Sequence, residues 1–165
     1  MGEDPGESRV VLNRLEVDEF DAWLPESTEW YASDMIRHAL MSEQDAREKA
    51  SRDMAFLLAE GVDTPQHTIA HVVDAATGER LGWVWYRRVE RASGPVVYVY
   101  QIEIAEPHRG RGLGRAAMLE VERAARATGA SGVELNVFAG NSVARALYRS
   151  LGFGEVSIGM AKPLT

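Results

Sequence analysis

Between residues 109 and 115 the chain reads Arg-Gly-Arg-Gly-Leu-Gly-Arg, three glycines interleaved with three arginines. A glycine turn that follows a strand and opens a helix leaves backbone N–H groups free at the positive end of the helix dipole, which makes an anion site. Glycine lets a phosphate reach the backbone. Arg109, Arg111 and Arg115 add cationic side chains suited to a multiply charged group such as a pyrophosphate. The spacing is not a dinucleotide fingerprint, because Arg115 stands where the last glycine would fall, and no Gly-Lys-[Ser/Thr] phosphate loop occurs. The bland alternative is a left-handed turn with three surface arginines.

Glu103 is a second chemical signal. It lies in the run Val96–Ala105, otherwise rich in β-branched and aromatic residues, where a carboxylate is costly to desolvate unless it is used or paired. That makes Glu103 the best candidate general base, with a salt-bridged or solvent-facing glutamate as the competing reading. Glu106 reads as a surface residue at the strand end. His38, His67, His71 and His108 show no metal-ligand spacing and no acidic triplet accompanies them, so no metal is assigned. Gly129-Ala130-Ser131-Gly132 lacks the G-x-S-x-G elbow, which leaves serine hydrolysis unsupported. The chain has no cysteine, so thiol nucleophiles, iron–sulfur clusters and disulfide scaffolds are excluded and a reducing cytoplasm fits best.

The elements that must hold these groups follow from pattern. Residues 1–8 read as a flexible tail and Arg9–Leu15 as a short strand. From Asp18 to Ala39 the pattern is helical, but Pro25 predicts two short helices rather than one. Ser42 with Asp45 imitates a capping box, and Ala46, Ala50, Met54 and Leu57 then recur at helical spacing until Gly61. Strands are expected at Thr68–Val73, Leu81–Arg87 and Val96–Ala105. The last should alternate between one face with Tyr98, Tyr100, Ile102 and Ile104 and another with Val97, Val99, Gln101 and Glu103. A helix with Leu113, Ala117, Val121 and Ala124 on one stripe follows the glycine turn, then a strand at Val133–Phe138. Asn141 caps a further helix that Gly152 ends, and Gly154–Ala161 reads as a final strand. The order β-α-α-α-β-β-β-α-β-α-β predicts one α/β domain over residues 1–165, a mixed sheet covered by helices.

Arg109, Gly112 and Gly114 match the [Gln/Arg]-x-x-Gly-x-[Gly/Ala] acyl-CoA loop of the GNAT superfamily of N-acetyltransferases, which this segment resembles. Glu134–Phe153, ELNVFAGNSVARALYRSLGF, is similar to that family's second signature of strand, Asn, helix, Tyr and Gly-Phe. The amino-terminal helices, Asp63-Thr64-Pro65-Gln66-His67, the Gly82-Trp83 strand and Met160-Ala161-Lys162 resemble a bacterial subgroup, so the likeness covers nearly the whole chain. It implies a GNAT-like, mostly antiparallel sheet of about six or seven strands flanked by about four or five helices. It also implies acetyl-CoA as co-substrate, bound between Val96–Ala105 and Val133–Phe138, with direct transfer to an amine. The amides from Arg109 through Gly110, Arg111, Gly112, Leu113 and Gly114 to Arg115 would hold the pyrophosphate. Backbone groups around Ile102 and Ile104 would pair with the pantetheine. Asn136, Asn141 and Ala144 would line the cofactor arm, and Tyr148 would serve as acid to the leaving thiolate. In this subgroup an acidic residue is expected at Glu103, acting directly or through water. Relatives are commonly homodimers.

On the helix after Asn141, Val143, Leu147 and Leu151 form one stripe, expected to be core, and Ala144 with Tyr148 a neighbouring one. The second stripe places a phenol beyond a small side chain, leaving room for a narrow ligand whose sulfur the hydroxyl could meet. A buried structural tyrosine is the alternative. Asn141 is first of all a helix cap. Trp30, Tyr31, Trp83, Trp85 and Tyr86 could line an acceptor pocket, though such spacings more often mark core.

Net charge is −7, with a pI of about 5.1. Residues 1–68 carry 6 basic and 16 acidic side chains, a balance of −10, and residues 69–165 carry 12 and 9, a balance of +3. A nucleic-acid binder would be basic, so nucleic acid is not expected as a partner. No apolar run reaches membrane-spanning length and the acidic start is unlike a signal peptide, so no membrane partner is expected either. The reading is an N-acetyltransferase acting on a small-molecule or peptide amine acceptor. A non-catalytic acyl-CoA-binding or sensing module of the same fold is the alternative.

Overall fold

The computed structural model describes residues 9–38, 41–162 and 164, so the amino-terminal tail expected at residues 1–8 lies outside the described residues. The elements are β1 (Val10–Arg14), α1 (Val17–His38), α2 (Glu43–Leu57), β2 (His67–Asp74), β3 (Arg80–Arg91), β4 (Gly94–Ile104), α3 (Leu113–Ala127), β5 (Val133–Leu135) and α4 (Ser142–Ser150). Short 3-10 turns occupy Gly61–Asp63 and Glu106–His108. The five strands form one sheet in the order β1-β2-β3-β4-β5, antiparallel except for the parallel β4–β5 pair. No helix among the described residues is long and apolar enough to cross a membrane.

Alternating side chains send each strand's apolar residues to two cores. On one face α3 buries Leu113, Ala117, Met118, Val121 and Ala125 against Val72, Val84, Val97 and Val99. On the other, Trp23 of α1 and Met54 of α2 pack on Ile69 and Trp85. The α3 stripe therefore ends on Ala125 rather than Ala124, which is only partly buried.

Several expectations need correction. α1 runs unbroken through Pro25 instead of splitting in two. Proline costs the helix a backbone donor, but α1 is held from outside: buried Ser27, two residues on, shares hydrogen bonds with Gln101 of β4. Tertiary contacts thus override the local break. Ser42 caps α2 as expected, its hydroxyl accepting from the Asp45 N–H at 3.1 Å. β5 stops at Leu135 rather than Phe138, and Gly154–Ala161 joins no ladder, so among the described residues the sheet has five strands instead of the expected six or seven. Val143, expected in the core, is 82% exposed at the start of α4, while Leu147 and Leu151 of the same stripe are partly buried.

The alternation of β4 also breaks. Trp85 pairs with Gln101 and Tyr86 with Val99, so Tyr100 is an extra residue, a β-bulge. Val97 and Val99 before it and Ile102 and Ile104 after it pack on the α3 side, while Tyr100 joins the core beneath α1 and α2. A bulge shifts the period by one residue, which a strict two-residue pattern does not foresee.

Candidate active site

β4 and β5 pair at only three positions, Val97 with Val133, Tyr98 with Glu134 and Val99 with Leu135. Past Val99 no strand follows the β5 side of β4, and the bulge at Tyr100 begins at that point. A cavity of about 280 Å³ opens there, lined by Tyr98 to Ile102 from β4, by Leu135 at the end of β5 and by Asn136 to Phe138 beyond it. Asn141, Ala144 and Tyr148 close it from α4, and Trp30, Tyr31, Asp34 and Asp53 from α1 and α2.

The expected cofactor residues divide by place. Ile102, Asn136, Asn141, Ala144 and Tyr148 border the cavity. Asn141 is also the cap of α4, its Oδ1 accepting from the Ala144 N–H at 3.1 Å, which leaves the amide nitrogen for other partners. Ile104 lies on β4 next to the glycine turn, and its carbonyl already accepts from the Arg109 guanidinium at 2.8 Å. Tyr148 leans on Phe153 with ring centroids 5.6 Å apart. Burial, reinforced by the charge of Asp34, pushes its phenol up to about 12, so it carries its proton throughout the neutral range.

The turn after β4 is built as the glycines suggest. Gly110 and Gly112 take positive φ angles of 73° and 77°, and Gly112 is the N-cap of α3. Gly114 is needed for another reason: a Cβ there would come within 3.4 Å of Leu147, so its absence lets α3 and α4 approach closely. Among the described residues nothing accepts a hydrogen bond from the backbone N–H groups of Gly110, Arg111, Gly112, Leu113, Gly114 or Arg115. Six unbonded amides at the N-terminus of a 15-residue helix form a donor-only cradle.

The arginines around it are less free than their spacing suggests. Arg115 donates to the carbonyl and hydroxyl of Ser150, both at 3.1 Å, tying α3 to α4. Arg109 is paired with Glu103 at 3.3 Å. Arg111 is exposed, 3.5 Å from the ring of His108.

Glu103 is a largely covered carboxylate, 15% exposed at its side chain. One oxygen meets Arg109 and the other, Oε2, is buried without a hydrogen bond. Desolvation, opposed by Arg109 and reinforced by the charge of Glu26 on α1, raises its pKa to about 7. The salt-bridged reading and the base reading therefore meet in one residue. Glu103 does not line the cavity that holds Tyr148.

Asp34 does, although sequence reasoning did not single it out. It lies on α1 one turn before His38, 3.5 Å from the imidazole, and burial raises the pKa of its carboxyl. The signal available was its i,i+4 spacing to His38 on α1. Of the aromatic residues proposed for an acceptor pocket, Trp30, Tyr31 and Trp85 border the cavity, while Trp83 and Tyr86 do not. Asp53 accepts from the Tyr31 hydroxyl at 3.1 Å and pairs with Lys49. Beneath them the Trp85 indole donates to His67 Nδ1 at 2.9 Å and stacks on Tyr100 at 4.5 Å. Burial and the nearby Arg87 hold His67 near pKa 4, so it is neutral structural packing.

The family model of the acetyltransferase (GNAT) family matches residues 18–153. The chain is 29% identical over 157 residues to the uncharacterized N-acetyltransferase YycN of Bacillus subtilis (strain 168), covering 94% of this chain and 99% of that protein. It is also 29% identical over 154 residues to the uncharacterized N-acetyltransferase YdgE of the same organism, covering 93% and 98%. The crystal structure of YycN matches this fold with a TM-score of 0.86 over 94% of this chain and 99% of that one.

Proposed function

Because this chain belongs to the acetyltransferase (GNAT) family, we propose that it transfers the acetyl group of acetyl-CoA directly to a primary amine. The observation that carries the reading is the opening of the β4–β5 ladder after Val99 and Leu135, with a proton-bearing tyrosine on its wall and a donor-only turn at the end of β4. A narrow, extended ligand with a polyanionic end fits those features. The unbonded amides suit a pyrophosphate, and the unpaired side of β4 from Tyr100 to Ile104 suits an extended amide-bearing arm. The absence of cysteine agrees with work in a reducing cytoplasm.

The chain's own groups then divide the proton traffic. A protonated amine has no lone pair to attack with, so a base must take its proton. Glu103, with its pKa near 7, is poised for that at neutral pH and acts through water, since it stands outside the cavity. The amine nitrogen attacks the thioester carbonyl, the tetrahedral intermediate collapses with loss of the C–S bond as Tyr148 gives its hydroxyl proton to the departing sulfur, and the proton the nitrogen sheds on becoming an amide returns to the tyrosinate. Arg109 restrains the Glu103 carboxylate.

The test is thiol release from acetyl-CoA across a panel of primary amines. Because the protein has no cysteine, a thiol reagent reads free CoA without background. Amine-dependent release well above the uncatalysed rate is expected. Failure of every amine in the panel to elicit release, alongside tight CoA binding, would instead support the non-catalytic module.

A further inference from the structure

Arg109 touches both halves of the proposed chemistry. It stands directly before Gly110, the first of the unbonded amides, and its guanidinium reaches back along β4. Nε donates to the Ile104 carbonyl at 2.8 Å, and Nη2 donates to Glu103 Oε1 at 3.3 Å. The contact with Glu103 is one long bond rather than the short two-pronged fork that arginine makes at its strongest, and the arginine side chain is 56% exposed. Arg115, by contrast, is fixed on α4 by two bonds to Ser150. Arg109 is held loosely enough to exchange partners.

The competing pull comes from the turn itself. A pyrophosphate on the amides of residues 110–115 would set more than one negative charge beside Arg109, against the single charge of Glu103. An amide-bearing arm laid along β4 would compete for the Ile104 carbonyl as well. Both bonds that hold Arg109 over the base thus lie in the path of one ligand. Among the described residues, the charges acting on Glu103 are Arg109 from the turn and Glu26 from α1, while β3 pairs it with the uncharged Trp83. Burial and Glu26 both favour the protonated carboxyl, and Arg109 opposes them.

We propose that Arg109 couples the phosphate turn to the base: when a pyrophosphate takes the turn, the guanidinium passes from Glu103 to the phosphate, and Glu103 binds a proton from solvent more tightly. Arg109 is then a positioning residue, and this coupling rests on the acetyl-CoA reading above. Its consequence is an order of events. Glu103 becomes the stronger base only with the thioester in place, so an amine loses its proton where it can react.

Binding that tightens the hold on a proton takes protons from the medium. Calorimetric titration of acetyl-CoA at pH 7.5, in buffers of different ionisation enthalpy, reads that uptake. Wild type should take up on the order of half a proton per chain, with an affinity that falls several-fold from pH 7 to pH 9. The phosphate monoester of the co-substrate ionises at about 6, and a cationic site drives its proton off, which has the opposite sign. Glu103→Gln and Arg109→Gln should each bind acetyl-CoA without uptake. In carbon-13 spectra the Glu103 carboxyl, assigned by its loss in Glu103→Gln, should titrate at higher pH once acetyl-CoA is added, and at similarly higher pH in Arg109→Gln with no ligand. That second shift needs no binding by the variant. Binding without uptake in wild type would overturn the coupling and leave the acetyl-CoA reading standing, whereas no binding would remove both. Uptake that persists in Glu103→Gln would belong to another group, such as His108 beside Arg111, and an unmoved Glu103 titration in Arg109→Gln would clear Arg109 of the role; either result overturns the proposal.

Discussion

At the residue scale, Tyr148 and Glu103 are opposite consequences of burial. Desolvation keeps the phenol protonated and lifts the carboxylate to the edge of neutrality, so one is a donor and the other a poised acceptor. Tyr148→Phe keeps the ring against Phe153 and removes the proton, and should lower kcat by about 10²–10⁴-fold with CoA affinity little changed. Steady-state kinetics and a CoA titration on the same sample separate the two effects. Glu103→Gln should abolish the rise of kcat/KM through about pH 7. The same substitution should stabilise the fold. Glu103 ionises near 7 when folded and at its ordinary, lower value when unfolded, so it removes stability as pH rises between those values. Thermal melts at pH 8 should show a gain of order 1 kcal/mol, about 2–4 °C, that vanishes at pH 4. Tyr148 and Glu103 were singled out in the sequence as candidates, one by helical spacing beyond Ala144 and one as a charge in an apolar strand, and of the two Tyr148 lines the cavity. Asp34 was not, because only the packing of α1 across the open ladder turns an ordinary helical aspartate into a cavity residue.

At the element scale, the bulge at Tyr100 is what gives the site its shape. It rotates β4 by one position, so that Gln101 reaches Ser27 of α1 and Ile102 and Ile104 return to the α3 side. A periodic reading placed the strand correctly and its later residues on the wrong faces, since a bulge is a pairing property and β3 is needed to reveal it. The segment Gly154–Ala161 shows the same limit: its alternation was visible, but it joins no ladder, because strand pairing is not a property of one segment alone. Gly82 on β3 holds β4 in place from beside. A Cβ there would stand 1.9 Å from the Glu103 carbonyl oxygen, so Gly82→Ala must push the two strands apart at Glu103, the proposed base. We expect a loss of about 1–3 kcal/mol in denaturant unfolding and a larger fall in kcat/KM than stability alone explains. Pro25→Ala should do the reverse for stability, restoring a helix donor in α1, with a gain of up to about 3 kcal/mol.

At the scale of the whole molecule, charge is divided along the chain. The −10 of residues 1–68 and the +3 of residues 69–165 place α1 and α2 on the acidic side and the donor-only turn on the basic side. Such a field favours a cationic acceptor and an anionic co-substrate in one cleft, and cationic amines should outperform anionic ones, an advantage that salt erodes. The central claim is that the splayed β4–β5 cleft and its turn take acetyl-CoA, and calorimetric titration tests it most directly. Wild type should bind one acetyl-CoA per chain, more weakly as salt rises. Gly112→Ala and Gly112→Asp share the cost of a side chain at φ 77°, but only the second sets a carboxylate against the pyrophosphate. The aspartate should therefore bind at least about tenfold more weakly than the alanine, roughly 1.4 kcal/mol. No heat of binding in the wild type, or equal affinity in the two variants, would contradict the account.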